Sequence, residues 1–275
     1  ANNLDLLNSG AKVSDRPAAL DAGLEINSGL QTKAAGDINI DATGNFSLNN
    51  ADLKNTLRAG AEGNIGGIKI QAGTLDIKNN STISSLTIGK GNAGDISITA
   101  NGDIKISGYD IASTNSTQSS IVSDTYGQGD AGKITIDTQG KLSVNEGSIS
   151  SSITKAAVGN SQGISINARE LELANNSFIS TQTLQTERVD GKGNAGDINI
   201  KTTGNIKVSG YDIASTNSTQ SAIDSSTFGR GDAGKIIIDT QGKLSVVNKG
   251  SISSSITETA VGNSQGISIN ARELE

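Results

Sequence analysis

Gly91-Asn92-Ala93-Gly94-Asp95-Ile96-Ser97-Ile98 is a glycine turn running into a strand of period two, and the chain repeats it from end to end. Two copies precede it, Ala35-Gly36-Asp37-Ile38-Asn39-Ile40 and Gly66-Gly67-Ile68-Lys69-Ile70. Four of the later copies are Asp130-Ala131-Gly132-Lys133-Ile134, Gln162-Gly163-Ile164, Asn194-Ala195-Gly196-Asp197-Ile198 and Asp232-Ala233-Gly234-Lys235-Ile236. The last is Gln265-Gly266-Ile267. A turn and strand returning every ~30 residues marks a stacked repeat architecture.

Two further strand-like pieces follow each glycine turn. One also has period two, as in Phe46-Ser47-Leu48, Ile104-Lys105-Ile106, Leu142-Ser143-Val144, Leu171-Glu172-Leu173 and Leu244-Ser245-Val246. The other is serine-rich around one apolar residue, as in Ser81-Thr82-Ile83-Ser84, Ser148-Ile149-Ser150 and Ser251-Ile252-Ser253. Period-two alternation sends one face inward and the other to solvent. Three strands per turn predict an all-β, three-faced parallel solenoid of about eight rungs, each roughly 30 residues long. Ile96 and Ile98 should stack against Ile134 and Ile136. Residues 1–32 are less regular, with short strands expected at Leu4-Asp5-Leu6 and Leu24-Glu25-Ile26 and the single proline, Pro17, in a turn. The solenoid is expected over 33–275.

A longer repeat overlies the rungs. Asp95 and Asp197 stand 102 residues apart (197 − 95), and Ser107–Ser119 recurs letter for letter as Ser209–Ser221. One residue added near Val247 makes the later offset 103, so Val158–Glu172 recurs as Val261–Glu275 (261 − 158). The large repeats are 91–192 and an incomplete 193–275. Each holds three rungs, and first-strand isoleucines at 96, 134, 164 and 198 predict rung lengths of 38, 30 and 34 residues. The longest rung carries Tyr109–Ser119, and its twin carries Tyr211–Ser221. Because the core fixes the perimeter, these extra residues should project as lateral loops. Tyr109, Asp110 and Asn115, with Tyr211, Asp212 and Asn217, are therefore the candidate surface-contact residues. A second excursion is expected at Thr186–Gly191.

The chain has no His, Cys, Met or Trp, and aromatics make up 2% of it. The core must therefore be built from Ile, Leu, Val and Ala in thin layers. Without Cys there is neither a disulfide nor a thiolate metal site, and without His the commonest general base and transition-metal ligand are missing. A net charge of −6 speaks against nucleic-acid binding. No apolar run is long enough to span a membrane as a helix. The chain starts at Ala1 and stops at Glu275 inside a repeat, and it reads as an interior piece of a longer protein.

The glycine turns invite three chemical readings. A phosphate loop needs Lys-Ser/Thr after its last glycine and then a helix, and neither is here. Calcium-binding nonapeptides place Asp two residues after Gly, whereas Gly94-Asp95 and Gly196-Asp197 are adjacent and Lys133 and Lys235 replace Asp in other rungs. Calcium is thus the one cofactor in view, and the spacing disfavours it. Gly94, Gly132, Gly196 and Gly234, with Asp95 and Asp197, are read as structural corners where glycine supplies a positive φ. A polysaccharide-processing enzyme would need converging carboxylates. Asp103, Glu172, Lys105 and Lys207 point outward, but Asp103 becomes Asn205 in the twin repeat. Thr-lattice ice binding is disfavoured by irregular strands such as Thr181-Gln182-Thr183, and sequons such as Asn80 and Asn175 arise by chance in so Asn-rich a chain. Tyr126 and Phe228, each before a glycine turn, are read as caps of the third strand.

Gly91–Ile98, Lys141-Leu142-Ser143-Val144, Gly147-Ser148-Ile149-Ser150-Ser151 and the return Gly127-Gln128-Gly129-Asp130-Ala131-Gly132 resemble the repeats of filamentous-haemagglutinin-like exoproteins of the two-partner secretion type. The chain is similar in particular to large cyanobacterial members, over about residues 33–275. The family's amino-terminal secretion domain is not visible. The resemblance implies a right-handed parallel β-helix exported through an outer-membrane barrel and displayed at the cell surface or shed. The function expected is an extracellular structural or adhesive rod without enzymatic activity or membrane insertion. Its partners would be that barrel during export and surface or matrix glycans or proteins afterwards. A self-assembling matrix or sheath filament, joined end to end, and a polysaccharide-processing enzyme are the alternatives.

Overall fold

The computed structural model describes residues 4–7, 22–28, 34–108, 118–154, 156–184, 191–210, 220–257 and 259–275. The described residues are all-β, with parallel strands in a 13-stranded sheet, an eight-stranded sheet and a two-stranded one. The architecture is that of a parallel β-solenoid. The larger sheet is two ladders joined at a corner, because Ile38–Asn49, Ile68–Lys78, Ile236–Val247 and Ile267–Leu274 run round it unbroken.

The period-two isoleucines set the register. In the first ladder Ile38, Ile68, Ile96, Ile134, Ile164, Ile198, Ile236 and Ile267 pair in succession. In the second, Phe46, Leu75, Ile104, Leu142, Leu171, Ile206, Leu244 and Leu274 do the same. The third stacks Leu53, Ile83, Ile121, Ile149, Ile179, Ile223 and Ile252. Except for Ile267 and Leu274 of the last rung, which are exposed, these residues form one continuous core, with Ile252 partly buried at its margin. Each fully buried Ile or Leu contributes about 2–3 kcal/mol of transfer free energy, so stability is spread evenly along the stack. Strands Leu4–Leu7 and Ala22–Ser28, in the less regular segment, add to the second and third ladders against Phe46–Asn49 and Ala51–Leu57.

Expected rung lengths of 38, 30 and 34 reappear in rung-to-rung hydrogen bonds. The extra residues of the longest rung, 109–117 and 211–219, lie outside the described residues, as do Pro17 and residues 186–190 of the second excursion.

Glycine acts at the corners in two different ways. Positive φ occurs at the earlier glycine of four turns, 149° at Gly91, 140° at Gly129 and Gly193, and 143° at Gly231, and at the later glycine of two others, 83° at Gly163 and 79° at Gly266. Gly94, Gly132, Gly196 and Gly234 do not have it, which corrects the expectation drawn from the sequence. They are required by contact instead. A Cβ on Gly94 would lie 1.9 Å from the Gly66 carbonyl oxygen, and one on Gly234 2.2 Å from that of Gly196. Gly193 carries both constraints, since its Cβ would meet the Gly159 oxygen at 1.4 Å. Gly36 has open space around it. Gly193→Ala should therefore cost at least about 3 kcal/mol in urea unfolding, and Gly36→Ala less than about 0.5 kcal/mol.

Candidate functional site

The corner leading into the first ladder carries a regular polar column among the described residues. Asn64, Asn92, Asp130, Asn160, Asn194, Asp232 and Asn263 form one column. The Oδ1 of each accepts the backbone N–H of the next, at 2.8–3.0 Å. Asn and Asp interchange freely because only an acceptor oxygen at this reach is needed. The turn aspartates work likewise. Asp37 accepts the N–H of Gly67, Asp95 that of Lys133 and Asp197 that of Lys235, at 2.7–2.8 Å. They are exposed corner residues, as the sequence suggests, and also rung-to-rung acceptors. Among the described residues no group of three or more acidic side chains is placed to hold a metal ion.

Inside the corner runs a second polar column. Asn55, Ser85, Ser123 and Ser151 are consecutive partners on the third ladder, as are Thr181, Ser225 and Ser254. All but Ser254 are buried. Gly94, Gly132 and Gly234 donate their N–H to Ser85, Ser123 and Ser225 at 2.8–2.9 Å. Ser151 donates to the Gly132 carbonyl and Thr181 to that of Gly196. A buried unpartnered peptide group costs about 1–3 kcal/mol, so these hydroxyls are what permits a glycine corner in a dry interior. The serine-rich third strand is serine-rich for this reason.

At the corner between the second and third strands, Asn79-Asn80 and Asn175-Asn176 take positive φ, which Asn tolerates well. Asn79 donates to Asn49 Oδ1 at 2.7 Å and Asn175 to Asn145 Oδ1 at 2.8 Å. Asn80 and Asn175, which also fall in sequons, thus have turn roles.

Some of the outward charges pair across rungs. Glu172 lies 2.5 Å from Lys141 and 3.9 Å from Lys207. Asp103 accepts the Lys141 N–H at 2.9 Å, and Asn205 accepts that of Lys243 at the same distance. The Asp-to-Asn change between repeats preserves that role. On the outer face of the third ladder, Asp224 accepts from Gln182, Ser226 and Ser253. Asp124 accepts from the Ser152 N–H at 2.8 Å and the Ser150 hydroxyl at 3.3 Å. Burial outweighs these donors and pushes the Asp124 carboxyl up to about 7. Tyr126, beside it in the chain, is exposed, while its counterpart Phe228 is half-buried.

Of the residues singled out in the sequence, the loop candidates Tyr109, Asp110, Asn115, Tyr211, Asp212 and Asn217 lie outside the described residues. The corner residues Gly94, Asp95, Gly132, Gly196, Asp197 and Gly234 are brought together in the columns above. The Asn/Asp and hydroxyl columns escaped sequence reading, although the sequence places an Asn or Asp directly after the earlier glycine of each of these turns, as in Gly91-Asn92 and Gly129-Asp130. No helix long and apolar enough to cross a membrane occurs among the described residues. Comparison of the chain with protein-family models, curated proteins and solved structures finds no match.

Removing one member tests the Asn/Asp column. Asn194→Ala should lower stability by about 1 kcal/mol and Asn194→Asp by less, measured by urea unfolding. Asp124 gives a pH signature. Its folded value lies above the ordinary 3.8, so its contribution is most favourable below pH ~4 and falls as pH rises towards ~7. Asp124→Asn should flatten that decline, gaining on the order of a few kcal/mol at pH 8 relative to pH 4.

Proposed function

We propose that the chain is a rigid segment of an extracellular structural or adhesive rod, built as a right-handed, three-faced parallel β-helix. The hand follows from the general preference of parallel strand–crossover–strand units. The carrying observation is continuity: apolar, Asn/Asp and hydroxyl columns run from rung to rung. Every column bonds along the stack, which gives stiffness in one direction and repeated lateral faces. Polar groups taken up in rung-to-rung bonds, and ion pairs such as Lys141 with Glu172, favour a passive scaffold over an enzyme. Export through an outer-membrane barrel and contact with surface glycans or proteins complete this reading, and many weak equivalent contacts would bind by avidity. A second reading, in which rods join end to end, rests on the general tendency of unpaired strand edges to add further strands.

Antibodies raised against the chain should label intact, unpermeabilised cells that produce it. Labelling only after permeabilisation would refute surface display. Electron microscopy of the purified chain should show discrete rods of about 40 Å, as ~8 rungs at ~4.8 Å require. Long filaments would favour end-to-end assembly.

A further inference from the structure

The corners before Ile134, Ile164 and Ile198 are not alike. Ile134 and Ile198 follow Gly132-Lys133 and Gly196-Asp197, whereas Ile164 follows Gln162-Gly163. A bridge between Ala131 and Ser161, and the hydrogen bond from Asn160 to Asp130, fix the alignment of these rungs. Gln162 therefore occupies the column of Gly132 and Gly196, and Gly163 that of Lys133 and Asp197. The local bonding follows. Lys133 offers no carboxylate to the next rung, and the Gly163 N–H turns to Ser161 Oγ at 3.1 Å. At the equivalent Gly67 the carboxylate of Asp37 does this work.

This exchange opens a groove. Gln162 has glycines on both neighbouring rungs, and Lys133 and Asp197 stand two rungs apart, roughly 10 Å, with no side chain between them. A cavity of about 570 Å³ lies here, walled by Lys133, Gln162, Asn194, Asp197, Asn199 and Asp232 among others. Several of its polar groups keep spare capacity among the described residues. Gln162 uses its amide nitrogen on Asp130 at 2.9 Å, which leaves its oxygen as an acceptor. Asn194 uses its oxygen on the Asp232 N–H, which leaves its amide nitrogen as a donor. Asp197 commits one oxygen to Lys235. Donors and acceptors thus alternate over a short distance, with one ammonium set against two carboxylates.

We propose that this groove binds a neutral oligosaccharide. Sugar hydroxyls both donate and accept, and so match walls made of amides with the Lys133 ammonium towards one end and the Asp197 and Asp232 carboxylates towards the other. The carboxylate excess disfavours sulfated or sialylated chains. Part of the groove recurs at Lys235, Asn263 and Gln265, the counterparts of Lys133, Asn160 and Gln162, which provides for multivalent contact along one glycan.

The inference rests on the adhesive-rod reading and deepens it. The 275-residue chain should be applied to a glycan microarray carrying neutral, sialylated and sulfated oligosaccharides, and each bound glycan titrated by calorimetry. Neutral glycans should bind. Asn199→Trp, which fills the groove from an exposed strand position, should weaken binding at least about tenfold, and Gln162→Ala by about threefold to tenfold. Thermal unfolding of each variant should match the parent within a few degrees. Binding of anionic glycans alone, or undiminished affinity in folded Asn199→Trp, would overturn the proposal. A chain that labels the cell surface but binds no neutral glycan would sink the groove and leave the rod reading standing.

Discussion

Everything in this molecule depends on the close approach of successive peptide backbones at the glycine corners. Parallel strands stack about 4.8 Å apart along the whole perimeter of a solenoid, corners included. A flat strand meets that spacing with any side chain. A corner does not, because the Cβ of one rung points at the carbonyl of its neighbour. Gly91, Gly129 and Gly231 would each place a Cβ within 2.1 Å of the carbonyl oxygen of the glycine one rung away. Once these positions are glycine, the Ile and Leu ladders fall into register without further instruction.

Tight corners leave peptide groups pointing into the interior, and the two polar columns resolve that difficulty from opposite sides. Outside, the Asn/Asp column ties each rung to the next through Oδ1, so charge is irrelevant there and the residue types interchange. Inside, Ser85, Ser123 and Ser225 accept the glycine N–H groups that no strand partner can reach. Replacing these serines with isoleucine would add apolar area and leave the corner unsatisfied. The core is accordingly apolar on two walls and mixed on the third.

The same logic accounts for where variation is tolerated and where it has consequences. Asp103 and Asn205 differ in charge but accept the same N–H of the following rung. Lys133, Gly163 and Asp197 share a column and differ in bonding, and the glycine among them creates the groove. Variation inside an acceptor column is silent, whereas variation in the presence of a side chain at a corner reshapes the surface.

By itself the sequence determined the all-β class, the strand order within a rung, the rung lengths and the inward isoleucines, because period two and a repeated glycine turn are local patterns. Ile96 stacks on Ile134 as alternation requires. Only the tertiary structure decided the rest, since it depends on residues 28 to 38 positions apart that meet across one rung spacing. Asn92 and Asp130 look like unrelated turn residues until stacking brings one's oxygen to the other's N–H. Ser123 and Ser85 look like surface serines until the third strand is seen to turn them towards the glycine corner. Gln162-Gly163 reads as another copy of Gly132-Lys133 until pairing of Ser161 with Ala131 shows the two residues exchanged, and the groove follows from that exchange.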